Sequence, residues 1–174
     1  MSGPELVKIS DEYRRALRGF AATVTIVSCR TGLQNFGITV TAVSSVSMMP
    51  PSLLIAINEK TSIHASLLES THFCVNLLGE DQQFQSQIFG SPMALEDRFD
   101  QGDWRLSPDD VPYLADAQAN IFCRKVDTHR FGTHSMFIGQ VYQLAIRDDI
   151  APLMYLNGQY MKASDLQPLP EKSK

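Results

Sequence analysis

The feature that most restricts how this chain can fold is a succession of short apolar or β-branched runs set apart by turn residues, with little helical periodicity between them. TVTIVSCR (23–30) and FGITVTAV (36–43) flank Thr31-Gly32 and a few polar positions, a pattern of strand, turn and strand. Pro50-Pro51 interrupts the chain before SLLIAI (52–57). HFCVNLL (72–78), AQANIFCRKV (117–126), SMFIGQVYQLAI (135–146) and APLMYL (151–156) supply further strands. Three short helices are predicted. SDEYRRAL (10–17) opens on a capping serine and an acidic first turn and sets Tyr13 four residues before Leu17. Thr61 or Ser62 caps a second helix through Leu68, and DQQFQSQIF (81–89) forms a third that stops at Gly90. Residues 90–112, with Gly, Pro, Asp and scattered aromatics, read as a long surface excursion that folds against a partner subunit. Many strands and few helices favour an antiparallel barrel or sandwich over an alternating βαβ fold. No repeat or linker divides the 174 residues, so 1–174 read as a single domain, with a loosely ordered tail at 163–174.

The charge balance excludes several classes of function. Fifteen basic against nineteen acidic side chains give a net charge of −4, which opposes sequence-independent attraction to nucleic acid or anionic membrane. No apolar run approaches the roughly 18 residues needed to cross a bilayer, and the first twenty residues are mixed and charged; the expectation is a cytoplasmic protein. Cys29, Cys74 and Cys123 form no CxxC pair and are read as buried reduced thiols, and no histidine spacing suggests a metal site. The ten glycines include no Gly-x-Gly pair, so neither a dinucleotide fingerprint nor a P-loop is present.

The most unusual stretch runs from Gly37 to Pro51, GITVTAVSSVSMMPP. On a strand, Thr39 and Thr41 face one side and Val40 and Ala42 the other, after which Ser44, Ser45 and Ser47 are expected to leave the strand and offer hydroxyls beside exposed backbone N–H groups. Composition alone allows a plain polar-faced strand with a serine-rich turn. The next loop, Asn58-Glu59-Lys60-Thr61-Ser62, combines a cation, two hydroxyls and a helix start, which are the components of a phosphate site. Lys60 and Arg98 are each either a phosphate contact or a structural charge. His134 is either a cofactor contact or a histidine satisfied by a strand carbonyl. Phe20, Phe73, Phe122 and Phe137 are read as core, and Trp104 and Tyr160 as possible covers of a dimer seam.

In this order, FAATVTIVS, GITVTAVSSVSMMPP, the NEKTS loop, FCVNLL, Arg98-Phe99, Gly132-Thr133-His134, FIGQV and PLMYLNGQY resemble the short-chain flavin reductases, the reductase components of two-component flavin-dependent monooxygenases. The resemblance covers about residues 13–162. It implies a mainly β, antiparallel FMN-binding split β-barrel of Greek-key type with a few short helices. It further implies a homodimer that binds FMN or FAD near its interface, reduces it with NADH or NADPH and releases it to a separate monooxygenase component. By that resemblance Thr39, Val40, Thr41, Ala42, Ser44, Ser45, Val46 and Ser47 run beside the isoalloxazine and ribityl chain, and Asn58, Lys60, Thr61 and Ser62 lie by the phosphate. Arg98, Phe99, His134 and Tyr160 complete the cofactor-binding set, with His134 nearest the pyridine nucleotide. Three positions depart from the family pattern: Thr133 stands where an aspartate is usual, Met48-Met49 where an aspartate precedes the prolines, and Thr23 where glycine is frequent. Hydride passes between cofactors, so no side chain is assigned as catalytic. Two alternatives keep the fold: a flavoenzyme reducing a bound metal complex such as a corrin precursor, and a flavin-binding protein without turnover.

Overall fold

The computed structural model describes residues 3–92 and 95–163. Helix α1 (Gly3–Leu17) leads into β1 (Ala22–Thr23), β2 (Thr25–Thr31), β3 (Gln34–Val40), β4 (Val43–Met48) and β5 (Pro51–Asn58). Helix α2 (Ser62–Glu69), β6 (His72–Leu77) and helices α3 (Gln83–Gly90) and α4 (Leu95–Phe99) follow. The chain continues through β7 (Trp104–Leu106), β8 (Pro112–Leu114), the long hairpin β9 (Ala119–Phe131) and β10 (His134–Ile146), then β11 (Leu153–Leu156) and β12 (Gln159–Lys162). Every strand pair is antiparallel.

Seven strands form one sheet in the order β3-β2-β6-β9-β10-β5-β4. Its two outermost strands, β3 and β4, are consecutive in the chain and joined by Thr41-Ala42 alone, so the sheet must curl until its edges meet at that corner. The corner is tied down where Val43 N–H donates to Thr41 O and Ala56 N–H donates to Ala42 O, both at 3.0 Å. A smaller sheet, β1-β11-β12, stands beside this opening. Its placement is fixed by Val24, whose N–H donates to Leu153 O and whose carbonyl accepts Leu78 N–H.

Alternation along β5 illustrates how sequence sets the interior: Leu53, Ile55 and Ile57 are buried, while their neighbours are not. These side chains meet Val27, Phe73 and Phe137, and Ile63 and Leu67 of α2 close the cluster. A second cluster, with Ile26, Leu78, Phe89 and Leu114, lies under α3 and takes Phe99 and Trp104 at its margin. Between β2, β6, β8 and β9 the fully buried Asn76 amide is saturated. It donates to Ile26 O and Ser28 Oγ and accepts from Leu114 N–H and Asn120 Nδ2.

Several expectations require correction. The first helix begins seven residues before Ser10, because Glu5 to Ile9 carry no helix breaker and continue the turn upstream. The run 36–43 is two strands with a corner at Thr41-Ala42. Ser44, Ser45 and Ser47 do not leave a strand: they form β4, paired with β5 across one register shift. The excursion at 90–112 is partly anchored to its own chain: the Phe99 ring lies 5.1 Å from Phe89, and the indole of Trp104 lies 4.9 Å from it. Phe20 is not core; it is 71% exposed. The expected tail falls almost wholly outside the described residues. Strands β7, β8 and β12 were missed, being three or four residues long and lacking a β-branched run. Among the described residues no helix is long and apolar enough to cross a membrane.

Candidate active site

β3 reaches the barrel mouth with a strict alternation. Gly37 and Thr39 face α3, whereas Phe36, Ile38 and Val40 pack toward the first cluster. Where this strand gives way to the Thr41-Ala42 corner, a cavity of about 370 Å³ opens. Val24, Ile38, Val40, Ala56 and Ile57 give it apolar walls; Thr39, Thr41, Asn58, Thr61 and His134 supply a polar edge. Tyr155 and Tyr160 of the small sheet form the facing side, their rings edge to face with centroids 5.3 Å apart. No carboxylate, lysine or arginine lines this space among the described residues, so it offers shape and neutral hydrogen-bonding groups instead of charge.

The loop after β5 is organised by Asn58. Its Oδ1 accepts the Lys60 N–H at 2.9 Å, and its carbonyl accepts both the Thr61 hydroxyl at 2.7 Å and the Thr61 N–H at 3.1 Å. This sharp turn delivers the chain into α2 with Thr61 at the cap position, although the Thr61 side chain does not cap the helix. Across the sheet Asn58 is the register partner of His134, which begins β10. The loop and the β9–β10 turn are linked twice: Glu59 N–H donates to Thr133 O at 3.0 Å, and the Arg130 guanidinium pairs with the Glu59 carboxylate. Thr133 Oγ1 lies 3.0 Å from His134 Nδ1, so a neutral hydroxyl, not a carboxylate, orients the exposed ring.

Of the sixteen residues singled out from sequence, the cavity gathers eight: Thr39, Val40, Thr41, Ala42, Asn58, Thr61, His134 and Tyr160. Ser44, Ser45, Val46 and Ser47 lie farther along β4, with Ser47 Oγ accepting Met49 N–H at 3.0 Å. Lys60 and Ser62 are exposed beside the polar edge without lining it. Arg98 is buried behind β3 and donates to Gly37 O at 3.3 Å and Ser91 O at 2.8 Å, while Phe99 belongs to the aromatic cluster. Both residues support β3 from outside the cavity. Sequence reasoning missed Val24, Ile38, Ala56, Ile57, Ser86 and Tyr155. The apolar four look like any strand residue, and Ser86 sits in a helix whose apolar spacing alone attracted notice. Tyr155 had a signal, since it shares the PLMYLNGQY run with Tyr160. Among the described residues no cluster of His, Cys, Asp or Glu could hold a metal ion.

The comparisons with known proteins agree with this architecture. A family model described as flavin reductase like domain matches residues 17–164. The reductase component of an FADH(2)-dependent resorcinol hydroxylase from Rhizobium sp. (strain MTP-10005) is 44% identical over 158 residues, which are 90% of this chain and 88% of that protein. A homologue of nitrilotriacetate monooxygenase component B from Mycobacterium thermoresistibile superposes with a TM-score of 0.86 at 28% identity, covering 97% of this chain and 94% of that one. The NADH:FAD oxidoreductase SgcE6 of Streptomyces globisporus C-1027, solved in complex with NAD and FAD fragments, superposes at 0.82 with 26% identity over 88% of this chain and 92% of its own. A barrel split at the Thr41-Ala42 corner, a neutral cavity at that split and a family match over most of the length lead to one assignment: this chain belongs to the flavin reductase like domain family.

Proposed function

We propose that the chain is a single-domain NAD(P)H:flavin oxidoreductase that reduces FMN or FAD and supplies the reduced flavin to a separate monooxygenase component. The observation that carries this reading is the cavity at the barrel corner, with apolar walls for a flat ring and hydroxyl, amide and imidazole groups along one edge. That donor set fits a flavin nucleotide: the ring is apolar on its faces and needs neutral hydrogen bonds at its rim, while its phosphate suits the start of α2, where Ser62 supplies a hydroxyl and Lys60 a cation. When bound, the flavin supplies the acceptor for a hydride from the nicotinamide.

The chain's own residues bind and orient. Thr39 to Ala42 would hold the ring and ribityl chain. Asn58, Thr61 and Ser62 would hold the phosphate end, with Lys60 reaching in from its exposed position, and His134 would meet the nicotinamide. The apolar walls exclude water from the transfer, and no acid–base pair is required. Ser44, Ser45, Val46 and Ser47 extend the same edge beyond the cavity; Arg98 and Phe99 act by holding β3. The protein works in the cytoplasm, consistent with three buried unpaired thiols.

A homodimer completes the reading. Leu6, Ile9, Tyr13 and Leu17 make an apolar stripe on α1, all exposed, and a second copy is the partner that would cover it. Sedimentation equilibrium checks this, and a monomer at micromolar concentration would reject it. For the activity, the protein is mixed anaerobically with FMN or FAD and then with NADH or NADPH. Bleaching of the yellow flavin band in catalytic amounts of protein is expected. A band that persists with both flavins and both nucleotides overturns the proposal.

A further inference from the structure

Two hydroxyls meet where α3 passes behind the cavity. Ser86 Oγ lies 2.8 Å from Tyr160 Oη, and among the described residues neither oxygen has a second hydrogen-bond partner. Their surroundings differ. Ser86 borders the cavity yet presents no accessible surface, whereas Tyr160 is half-buried and lines it. Ser86 is also held firmly, because Gln82 anchors the start of α3 by accepting Gly79 N–H at 2.9 Å and donating to Asp116 O at 3.1 Å. The Ser86 carbonyl accepts the Thr39 hydroxyl at 2.7 Å.

Two hydroxyl hydrogens share one bond, so one is left over. Were Tyr160 the donor, the Ser86 hydrogen would be stranded where neither an acceptor nor water reaches it, the costly outcome for a buried polar group. With Ser86 donating, Tyr160 keeps its hydrogen on the cavity side. Thr39 has the opposite polarity: its hydrogen is committed to Ser86 O, so toward the cavity its oxygen only accepts.

We propose that Ser86 is a positioning residue that fixes Tyr160 as a hydrogen-bond donor directed into the cavity, toward a neutral oxygen acceptor on the bound ligand. The inference rests on the flavin reductase reading for the ligand's identity. The acceptor is a carbonyl-type oxygen, either on the flavin ring or on the nicotinamide carboxamide, and the two are told apart by which constant moves.

The experiment compares wild type with Tyr160→Phe, Ser86→Ala, the double variant and Ser86→Thr, which keeps the hydroxyl. It reads the Kd for FMN without nucleotide, the KM for NADH at saturating flavin, kcat, and Tm. Loss of one neutral hydrogen bond corresponds to roughly three- to tenfold. Tyr160→Phe is expected to raise the FMN Kd if the acceptor is on the flavin, or the NADH KM if it is on the carboxamide. Ser86→Ala raises the same constant by less. The double variant is no worse than Tyr160→Phe alone, and Ser86→Thr restores wild-type values. If Tyr160→Phe leaves both constants within twofold of wild type while Tm falls, the bond is structural and the proposal is overturned; this holds even if a Ser86 variant fails to fold. A wild type that neither binds flavin nor oxidises NADH with it overturns the flavin reading, and with it the ligand named here.

Discussion

Replacing Gly37 by alanine tests whether the cavity depends on α3 seating tightly against β3. A Cβ at this position would lie 2.6 Å from Phe89 Cε1, 2.8 Å from Phe89 Cδ1 and 3.2 Å from Phe99 Cζ. Carbon atoms settle at about 3.5–4.0 Å, so the Phe89 ring would have to retreat by roughly 1 Å. Its path is blocked: the ring is 1% exposed, and Phe99 and Trp104 stand with centroids 5.1 and 4.9 Å away. Overpacking of this kind costs about 1–3 kcal/mol. For a chain of this size each kcal/mol moves Tm by about 2–4 °C, so a fall of about 2–12 °C is expected. The damage should reach the site, because Thr39 stands two residues along the same face and its bond to Ser86 O spans the gap being forced open. Gly90→Ala is the internal control. Among the described residues its Cβ would meet only Thr39 Cβ, at 3.8 Å, and its φ is not positive, so Tm should hold or rise slightly. Thermal unfolding by circular dichroism and an FMN titration provide the assay. An unchanged Tm and FMN affinity in Gly37→Ala would refute the reasoning.

Three further outcomes are expected. Lys60→Ala should raise the Kd for FMN about three- to tenfold, a discounted share of a charge-assisted bond for so exposed a side chain, while riboflavin affinity and turnover at saturating FMN stay unchanged; equal losses for FMN and riboflavin would remove its phosphate role. Asn76→Ala removes four buried hydrogen bonds at once, to Leu114 N–H, the Ile26 carbonyl, Ser28 Oγ and Asn120 Nδ2, of which the last two keep Pro112 O and Leu114 O, and should cost roughly 3 kcal/mol in urea unfolding; a loss below about 1 kcal/mol contradicts that network. Burial pushes the Cys29 and Cys123 thiols up to about 12 and Cys74 well above its ordinary value, so native protein should resist iodoacetamide at pH 8. The linkage has a definite sign. Below the ordinary thiol value near 9, folded and unfolded states hold the same protons; between there and about 12 the unfolded chain sheds protons that the folded one keeps, so stability falls as pH rises. Rapid labelling at pH 8, or stability that climbs over that alkaline range, would contradict the burial.

Local chemistry made much of this protein legible. Short apolar runs identified β5 and β6, turn residues marked the hairpins, and the absence of a glycine fingerprint ruled out the common dinucleotide geometry. The hydroxyl-rich stretch and the Asn58 turn were recognisable because each is contiguous, and contiguous groups keep their spacing however the chain folds. Ser10 misled as a helix start because a capping residue is also tolerated inside a helix once preceding turns propagate through it. Tertiary structure alone decided which of those groups face one another. The curl that brings β3 against β4 turned Thr41-Ala42 from strand into corner, and the small sheet set Tyr155 and Tyr160 opposite it, across more than a hundred residues of chain. In sequence Arg98 could be either an anion contact or a structural charge. Folding placed its guanidinium against two carbonyls, since a buried charge takes whatever acceptors surround it. The direction of the Tyr160 hydroxyl was illegible for the same reason: it follows from the burial of Ser86, and burial belongs to the assembled barrel and not to any segment of it.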